Sequence, residues 1–500
     1  MSREKAVDSD SADAGPLVVA VDQGTGSTKA LLVDVRGRVV ASASVPVHLF
    51  TPSPGHVEQA PEELWASLLG AVDSCLRDID PDRVVALALA NQRESLVLWE
   101  RQSGRPVGPL LSWQDQRTVE DRVRVAERGC SEAVRQKSGL PLDPMFSALK
   151  AKWMLDTYDP DRSLSRAGDL CLGTVDSWLL SRLSGGQHLI EAGNASRTQL
   201  MNVATRTWDD ELLAIFDVPR AALPAIRPSG GIFCHTDALD SLRHPIPVAA
   251  VMGDSHAALF AQHGWVPGRV KATYGSGGSL MTIAPTAERV PESLTLTLAW
   301  ETDAPVWAFE GTIRSIGSTL VWLADLLGTS PEELAGMAAD HSENVYLVPA
   351  FNGMAAPWWD DAAAALICGM RASTGRPQLA RAALEAICHQ VEDVVVALED
   401  ATGVSVNTLL ADGGPTSNRD LMQLQADISG RRIERSGETN LSALGAAYLA
   451  GLTVGLWQQD DLAHLAAQTT TFEPRLPEER RSVQRSGWNA AVSRALGSWA

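Results

Sequence analysis

The sequence predicts an α/β protein built from two domains, and three observations carry this prediction. Strand-like and helix-like apolar patterns alternate along the chain, which is typical of sheets covered by helices. The 500 residues are more than one hydrophobic core usually holds. A turn of glycine and hydroxyl residues between two apolar runs occurs at 20–33 and again at 271–283. This repeat indicates a duplicated fold, with one hairpin in each half and a cleft between the halves.

The individual elements follow from local patterns. Apolar runs at 17–22, 30–35 and 39–46 predict three strands, and the unbroken run at 84–90 predicts a buried one. Pro61 predicts a helix start, because proline suits the first turn and the two glutamates after it favour the positive end of the helix dipole. A later helix, over 377–400, is predicted from one apolar stripe: Leu379, Ala383, Ile387, Val391, Val394 and Leu398.

Composition excludes several classes of function. The net charge of −19 argues against a nucleic-acid or anionic-membrane partner. The six cysteines form no C-x-x-C pair, which argues against a disulfide framework or a zinc site and fits a reducing cytosol. The apolar runs are far shorter than the roughly 20 residues of a membrane span, so no membrane insertion is expected. The polar, acidic first 15 residues predict a disordered tail over 1–15.

A third glycine-rich segment, at 409–418, indicates nucleotide binding. It places Asp412-Gly413-Gly414 between an apolar strand and a helix-like stretch, where glycines admit a nucleotide and a helix start offers free N–H groups. Either of the two earlier turns alone also fits a structural hairpin. Three such turns across two halves, however, resemble the ATP-binding core shared by actin, the heat-shock chaperones and the sugar kinases.

Longer motifs make the resemblance specific. From about residue 17 to residue 460 the chain resembles the FGGY family of carbohydrate kinases and, within it, is most similar to the glycerol kinases. The motifs that carry the likeness include "DQGTGSTKA" (22–30), "NQRESLVLWE" (91–100), "SWQDQRT" (112–118), "NASRTQL" (194–200), "GDSHAALFAQ" (253–262), "TYGSGGS" (273–279), "ADGGPTSN" (411–418) and "ALGAAYLAGL" (443–452).

The resemblance implies two actin-like (RNase H-like) α/β ATPase domains with an interdomain cleft. The N-terminal domain is expected over 16–263, the nucleotide-binding domain over 264–475 and a C-terminal extension over 476–500. The implied activity is ATP-dependent phosphorylation of glycerol or a related small polyol or sugar, with ATP and Mg²⁺ as cofactors. The enzyme is expected to be cytoplasmic and to bind a small polyol or sugar, with homo-oligomerisation left open.

The resemblance also implies roles for two aspartates. Asp254 matches the general base that accepts the proton of the substrate hydroxyl and, with Asp22, the metal site. Mg²⁺ keeps much of its hydration shell, so contact through water is expected at Asp22. Taken alone, either aspartate also fits a strand-end cap that bonds loop amides.

Two sets of residues match the nucleotide and acceptor sites of the family. The nucleotide set is Thr25, Gly26, Ser27, Lys29, Ser276, Gly277, Gly317, Gly414 and Asn418. The acceptor set is Arg93, Glu94, Trp113, Met145, Asp254, Ser255 and Ser279. A charged pair such as Arg93 and Glu94 suits vicinal hydroxyls. Lys29 also fits a solvated strand-end charge, and Arg93 with Glu94 a surface ion pair.

The acceptor set departs from the glycerol kinases at three positions. Met145, Ser255 and Ser279 stand where the family usually has tyrosine, glutamine and phenylalanine. These replacements predict a larger pocket that accepts glycerol weakly and a longer polyol or ketose better. A ketopentose or four- or five-carbon polyol kinase, similar to the xylulokinases, is therefore an alternative. A second alternative is an actin-like ATP-binding sensor without catalysis, although both Asp22 and Asp254 are retained.

Overall fold

The structure, a computed structural model, describes residues 15–465 and 469–497. Of the tail predicted over 1–15, only Gly15 falls within the described residues. We call the chain up to the end of helix α9 (Asp254–Ala261) its first half, and the chain from the start of strand β15 (Arg269–Tyr274) its second half. The predicted domain boundaries at 263/264 and 475/476 stay predictions.

The strands of the first half are β1 (Leu17–Gln23), β2 (Ser27–Asp34), β3 (Val39–Pro46), β4 (Glu58–Gln59), β5 (Val84–Asn91), β6 (Leu96–Glu100), β7 (Leu110–Leu111), β8 (Leu170–Thr174), β9 (Leu189–Glu191), β10 (Met201–Asn202), β11 (Thr207–Trp208), β12 (Ala225–Arg227), β13 (Gly230–Thr236) and β14 (Ile246–Gly253). Those of the second half are β15 (Arg269–Tyr274), β16 (Gly278–Ala284), β17 (Thr295–Glu301), β18 (Pro305–Ile313), β19 (Tyr346–Val348), β20 (Leu366–Cys368), β21 (Thr408–Asp412), β22 (Arg432–Ser436) and β23 (Thr469–Phe472).

The helices of the first half are α1 (Pro61–Leu76), α2 (Val119–Glu127), α3 (Ser131–Ser138), α4 (Ser147–Tyr158), α5 (Ser163–Ala167), α6 (Val175–Leu183), α7 (Ala192–Ser196), α8 (Asp210–Phe216) and α9 (Asp254–Ala261). Those of the second half are α10 (Gly317–Leu327), α11 (Pro331–Gly336), α12 (Arg376–Thr402), α13 (Arg419–Ser429), α14 (Leu441–Thr453) and α15 (Glu478–Ala495). Across residues 15–465 and 469–497, none of them has both the length and the apolar character needed to cross a membrane.

The two predicted hairpins lie at corresponding places in two sheets. In the six-stranded sheet, ordered β13-β14-β5-β1-β2-β3, strand β1 pairs antiparallel with β2 and parallel with β5. In the seven-stranded sheet, ordered β17-β18-β16-β15-β21-β22-β23, strand β15 pairs antiparallel with β16 and parallel with β21. The same three-strand arrangement thus occurs in both halves, which confirms the predicted duplicated α/β fold.

The elements predicted near the N-terminus are confirmed with one shift. Strands β1, β3 and β5 and helix α1 begin at the predicted residues. Strand β2 begins at Ser27 rather than at residue 30, because Thr28 already pairs with Gln23 of β1 and Ser27 with Pro46 of β3. Only three residues, 24–26, lie between the two strands. Asp22 and Lys29 consequently face each other in register across the two strands.

Additional layers surround the two sheets. A four-stranded sheet ordered β4-β7-β6-β8 and helices including α3, α4 and α8 extend the first half around a core that includes Leu98, Leu149 and Phe216. Helix α6 instead buries its apolar residues, such as Trp178, in the core of the first sheet. In the second half, α12 buries the predicted apolar stripe, with Leu379 only partly covered. Helix α15, within the predicted C-terminal extension, packs onto α12 through the buried Trp488. The indole N–H of Trp488 donates to Asp393 Oδ2 at 2.9 Å.

Helices α9 and α14 join the two halves. Helix α14 belongs to the second half in sequence but packs against α9 and against β5 and β14 of the first sheet. Gly445 permits this approach, since a Cβ there would lie 1.8 Å from the carbonyl oxygen of Ala257. Ala20 of β1, Ala257 of α9 and Leu444 of α14 belong to one buried core. The halves are therefore joined by a shared hydrophobic core as well as by the chain.

Gly445→Ala should destabilise the protein by pushing α14 away from α9. Overpacking of this kind costs about 1–3 kcal/mol, because neither helix backbone can yield without moving its sheet. Thermal denaturation followed by circular dichroism measures the effect as a lower midpoint. Gly336→Ala is the matched control, since a Cβ at this exposed residue in α11 meets no atom within 4 Å. Equal midpoints for the two variants would contradict the close-packing argument.

Candidate active site

The first glycine turn is held by side chains from the surrounding layers. Gln59 Nε2 donates to the carbonyl oxygen of Thr25 at 2.9 Å, and the indole Nε1 of Trp113 donates to Thr25 Oγ1 at 3.0 Å. A Cβ on Gly26 would meet no atom within 4 Å, so the turn opens onto free space there. Ser27 lies at the start of β2. The structure thus brings together Trp113, predicted for the acceptor site, and Thr25, predicted for the nucleotide site.

The two predicted catalytic aspartates lie at strand ends of the first sheet. Asp22 is near the end of β1, and Asp254 begins α9 directly after β14. Burial raises the pKa of Asp22 to about 7, and the neighbouring charge of Asp254 adds to the shift. Among the described residues, Asp22 Oδ1 is buried without a hydrogen-bond partner. Lys29 Nζ lies 3.4 Å from Asn440 Oδ1, at the start of α14.

Asp254 faces the predicted acceptor residues that follow β5. Its Oδ1 lies 3.5 Å from Arg93 Nε, and its side chain keeps 35% of its surface exposed, which leaves room for a ligand. Burial raises the pKa of the Asp254 carboxyl, and the charge of Arg93 opposes the shift. Glu94 adopts a left-handed backbone with φ of 65°, a conformation that a non-glycine residue keeps only where its surroundings hold it. One of its oxygens accepts from Arg197 Nε at 2.5 Å.

Glu310 of β18 connects these residues to the second sheet. Arg93 donates to both of its oxygens, Nη2 to Oε1 at 2.9 Å and Nη1 to Oε2 at 3.2 Å. Arg197 Nη1 lies 2.8 Å from Oε2, and Ser279 Oγ donates to Oε1 at 2.7 Å. Burial opposes ionisation of Glu310, but Arg93 and Arg197 outweigh it and hold the pKa of the carboxyl well below its usual range. We call Arg93, Glu94, Arg197, Asp254 and Glu310 the acceptor cluster.

Three residues at this place were missed by the sequence analysis: Glu310, Arg197 and His256. Burial, helped by the charge of Arg93, lowers the pKa of His256 well below its usual value, so the ring is neutral and Nε2 accepts from Arg93 at 3.3 Å. Arg197 and His256 lie inside the matched motifs. Glu310 is a lone carboxylate in an otherwise apolar and neutral strand, and such a residue is rarely buried unless it is paired. That pattern is the signal that could have identified it.

The loop that carries Met145 is fixed beside Glu94. Ser147 Oγ donates to the carbonyl oxygen of Glu94 at 2.8 Å. The buried ammonium of Lys150 donates to the carbonyl oxygens of Pro144 at 2.7 Å and Met145 at 2.6 Å. Burial lowers the pKa of Lys150 to about 8. On the other side, the amide of Ser255 donates to Asp254 Oδ1 at 2.6 Å. The loop of Met145 is thus attached to the cluster at Glu94, and Ser255 is attached to it at Asp254.

The second glycine turn, 275–277, packs against the start of α10. The amide of Gly317 donates to the carbonyl oxygen of Gly275 at 2.9 Å, and Ser318 donates to the carbonyl oxygen of Ser276. A Cβ on Gly277 would lie 2.5 Å from Ile313 O, and one on Gly317 would lie 2.8 Å from Gly275 O. Protein backbone alone therefore requires glycine at these two predicted nucleotide positions.

The third glycine segment follows β21. A Cβ on Gly413 would lie 2.0 Å from Tyr274 O, whereas one on Gly414 would meet no atom within 4 Å. Asn418 Oδ1 caps α13 by accepting from the amides of Asp420 and Leu421, both at 3.0 Å. The segment thus has a packed side, at Gly413, and an open side, at Gly414.

Helix α9 connects the acceptor and nucleotide groups of residues. Asp254 at its start belongs to the acceptor cluster. Gln262, just after its end, donates through Nε2 to Asp412 Oδ2 at 2.8 Å, next to the third glycine segment. A single rigid helix therefore spans the distance between the candidate base and the candidate nucleotide site.

Comparison with known proteins identifies the family of the chain. Residues 17–261 match the N-terminal domain of the FGGY family of carbohydrate kinases, and residues 270–454 match its C-terminal domain. The chain belongs to this family. It is therefore an ATP-dependent phosphotransferase with an alcohol group as acceptor, which sets aside the alternative of a non-catalytic sensor.

The relatives of this FGGY kinase include enzymes named for different substrates. The chain is 39% identical to the apulose kinase of Pectobacterium atrosepticum, over 96% of this chain and 98% of that protein. It is 40% identical to glycerol kinase 2 of Thermotoga maritima, over 96% and 99%. Among solved structures, Plasmodium falciparum glycerol kinase with ADP superposes with a TM-score of 0.90 at 29% identity, over 96% of this chain and 98% of that one. This superposition confirms the predicted two-domain fold.

Gly414→Val should weaken ATP binding, because its branched side chain would occupy the open space on that side of the third glycine segment. We expect a higher Michaelis constant for ATP with little change in that for the acceptor. Gly336→Val is the control, since this exposed glycine of α11 also has open space around a Cβ, has no positive φ and lies outside the three glycine segments. An unchanged Michaelis constant for ATP would indicate that Gly414 is only a structural turn.

Proposed function

We propose that this kinase phosphorylates a polyol or ketose of four or five carbons in preference to glycerol. The observation that carries the proposal is the hydrogen bond from Ser279 to Glu310, 2.7 Å long. This bond holds the small side chain of Ser279 against Glu310 of the second sheet. At the position of Ser279 the glycerol kinases usually have phenylalanine. Met145 and Ser255 replace two further wall groups beside the acceptor cluster. Unfilled space beside a three-carbon ligand would forfeit dispersion contacts.

The overall sequence identity to the relatives does not distinguish glycerol from a larger substrate. Relatives named for apulose and for glycerol stand at 39% and 40% identity, with nearly equal coverage. Glycerol kinase from Oceanobacillus iheyensis also stands at 39%. The choice therefore rests on the few side chains of the pocket.

In the proposed mechanism Asp254 is the general base. The acceptor hydroxyl gains acidity as its oxygen bonds to the γ-phosphorus of ATP and the bond from that phosphorus to the β,γ-bridging oxygen breaks. Asp254 takes the released proton, and ADP is the leaving group. Burial raises the pKa of this carboxyl, which makes it a better proton acceptor, and the charge of Arg93 opposes that rise. Arg93 and Glu94 offer a donor and an acceptor to vicinal hydroxyls, and Trp113 forms a wall of the pocket.

The residues around Asp22 fit a magnesium ion carried by the nucleotide. Asp22 Oδ1 is buried and has no hydrogen-bond partner among the described residues, as expected of a carboxylate oxygen that awaits a cation or its water. Within the described part of the chain no cluster of three or more His, Cys, Asp or Glu side chains forms a cation cage. Phosphate oxygens of the nucleotide and water molecules would thus supply most ligands of the ion, as is usual for protein-bound Mg²⁺. When bound, the ion neutralises charge on the transferring phosphate.

We assign nucleotide contacts to the three glycine segments. The proposed contacts are Thr25, Gly26, Ser27, Lys29, Ser276, Gly277, Gly317, Gly414 and Asn418. The open spaces at Gly26 and Gly414 support this assignment most directly. Cytoplasmic location, homo-oligomerisation and a role of Asp254 as a metal ligand stay predictions.

A panel of acceptors assayed by coupled ADP release tests the proposal. We expect higher kcat/KM for erythritol, xylulose, ribulose or apulose than for glycerol.

Asp254→Asn is the control for chemistry at this site: it should lower turnover by about 10²–10⁴-fold and leave the affinity for ATP unchanged, since it removes only the base. A wild-type enzyme that strongly prefers glycerol would refute the substrate assignment, and near wild-type turnover by Asp254→Asn would refute the base.

Ser279→Phe should shift the preference towards glycerol by filling the enlarged pocket. The expected change in the kcat/KM ratio is about 1–3 kcal/mol, roughly tenfold to two-hundredfold. Ser279→Ala is the matched control, because it removes the bond to Glu310 without adding volume. If both variants change the ratio equally, the lost bond rather than the pocket volume determines the preference, and the enlarged-pocket argument is wrong.

A further inference from the structure

We infer that Glu310, together with Arg197, is a positioning residue that holds Arg93 and Glu94 in the geometry required for acceptor binding. The inference rests on the proposed function, since it concerns the same acceptor site. It adds that the second sheet, through β18, determines how tightly the acceptor binds, although the residues proposed to touch the acceptor hydroxyls lie in the first half of the chain.

The contacts of Glu310 fix the direction of the Arg93 side chain. The carboxylate engages the two terminal nitrogens of Arg93 in a fork, at 2.9 and 3.2 Å. Such bidentate pairs are planar and specify orientation as well as distance. With its terminal nitrogens committed, Arg93 presents Nε to Asp254 at 3.5 Å and to Glu94 at 3.9 Å. The guanidinium therefore lies with its edge towards the candidate base.

Arg197 links the carboxylates of Glu94 and Glu310. Its Nε donates to Glu94 at 2.5 Å, and its Nη1 lies 2.8 Å from Glu310. Arg93, Glu94, Arg197 and Glu310 are each at most 9% exposed on their side chains. Ionised groups so deeply buried are retained only when each is paired, and removal of one partner leaves an uncompensated charge. The orientation of Glu94 thus depends on Arg197, which in turn depends on Glu310.

A purely stabilising role for this cluster is a poor explanation of its composition. Buried ion pairs contribute little net stability, and apolar side chains of similar volume often serve as well. A second ion pair across the same two halves, Arg206 with Glu301 at 3.3 Å, lies at more exposed positions. Within the described residues, neither of its side chains forms an ion pair with the acceptor cluster. Two such pairs of similar chemistry allow a matched comparison.

The position of Glu310 also links the acceptor site to the nucleotide hairpin. Ser279, which donates to Glu310, lies two residues after Gly277 of the second glycine turn. Strands β16 and β18 pair directly, with Met281 opposite Glu310. The acceptor cluster and the second glycine turn are thus close neighbours along β16, so the Michaelis constant for ATP has to be measured beside that for the acceptor.

Glu310→Gln tests the inference in the full-length enzyme, with Glu301→Gln as the matched control. The amide keeps the shape of the carboxylate but removes its charge and one of its acceptor oxygens. We expect the Michaelis constant for the best acceptor of the panel to rise roughly tenfold to a hundredfold, as for loss of a charge-assisted bond. The Michaelis constant for ATP should stay near that of the wild type, and Glu301→Gln should change neither constant.

The outcomes separate a positioning role from a structural one. Equal increases in the two Michaelis constants of Glu310→Gln, or an acceptor constant like that of the wild type, would overturn the inference while the proposed function stands. If Glu310→Gln does not fold, Arg197→Lys replaces it, since lysine keeps the charge but cannot bridge Glu94 and Glu310. The same selective rise is then expected, and its absence overturns the inference. A wild-type enzyme inactive on every acceptor would instead refute the proposed function itself.

Discussion

The packing of α9 against α14 is the constraint on which the arrangement of the site depends. Helix α9 starts at Asp254 and ends next to Gln262, whose amide is bonded to Asp412 beside the nucleotide segment. Its position is set by α14, which approaches so closely that only the missing Cβ of Gly445 allows it. Because α14 also covers strands of the first sheet, a displacement of this helix would move the candidate base and the nucleotide segment together. The close approach of the two helices therefore fixes the position of the candidate base relative to the nucleotide segment.

Electrostatic balance is the second condition that the site must satisfy. The acceptor cluster combines two guanidinium groups with three carboxylates, and the exposed part of Asp254 faces the space left for a ligand. The neutral His256 contributes a hydrogen-bond acceptor without adding a charge. Asp22, by contrast, lacks a partner for one buried oxygen, and its pKa is raised to about 7. On the acceptor side Arg197 Nη1 and His256 Nδ1 also lack a hydrogen-bond partner among the described residues, but the charge of Arg197 Nη1 is paired with Glu310 Oε2 at 2.8 Å. The charges of the acceptor cluster are therefore paired within the protein, whereas Asp22 keeps a buried carboxylate oxygen without a hydrogen-bond partner among the described residues.

The sequence alone predicted the elements that local residue patterns determine. It did not predict features that depend on contacts between residues distant in sequence. The strands at 17–22, 39–46 and 84–90 and the helix that begins at Pro61 follow from periodicity and terminal residues, and the structure contains them. The early start of β2 was missed because a three-residue turn is decided by cross-strand pairing. Glu310 was missed because its importance arises from Arg93 and Arg197, which lie 217 and 113 positions away in sequence. Open space beside Gly414 and crowding beside Gly277 likewise cannot be distinguished in a sequence, where both are simply glycines in turns.

The candidate donor site is built from backbone turns and the proposed acceptor site from side chains. This difference explains why sequence similarity identifies the reaction more readily than the acceptor. The candidate donor site consists largely of glycine turns whose geometry is fixed by protein backbone, as at Gly277 and Gly317, so a substitution there is resisted by packing alone. The acceptor residues proposed above, such as Met145 and Ser279, would instead act through their side chains, and a side chain can be exchanged without a change of backbone path. Relatives can therefore share the phosphoryl-transfer apparatus at 39% identity and yet be named for apulose in one case and glycerol in another. On the proposed assignment, specificity depends on a few side chains carried by a backbone whose turns are fixed by glycines.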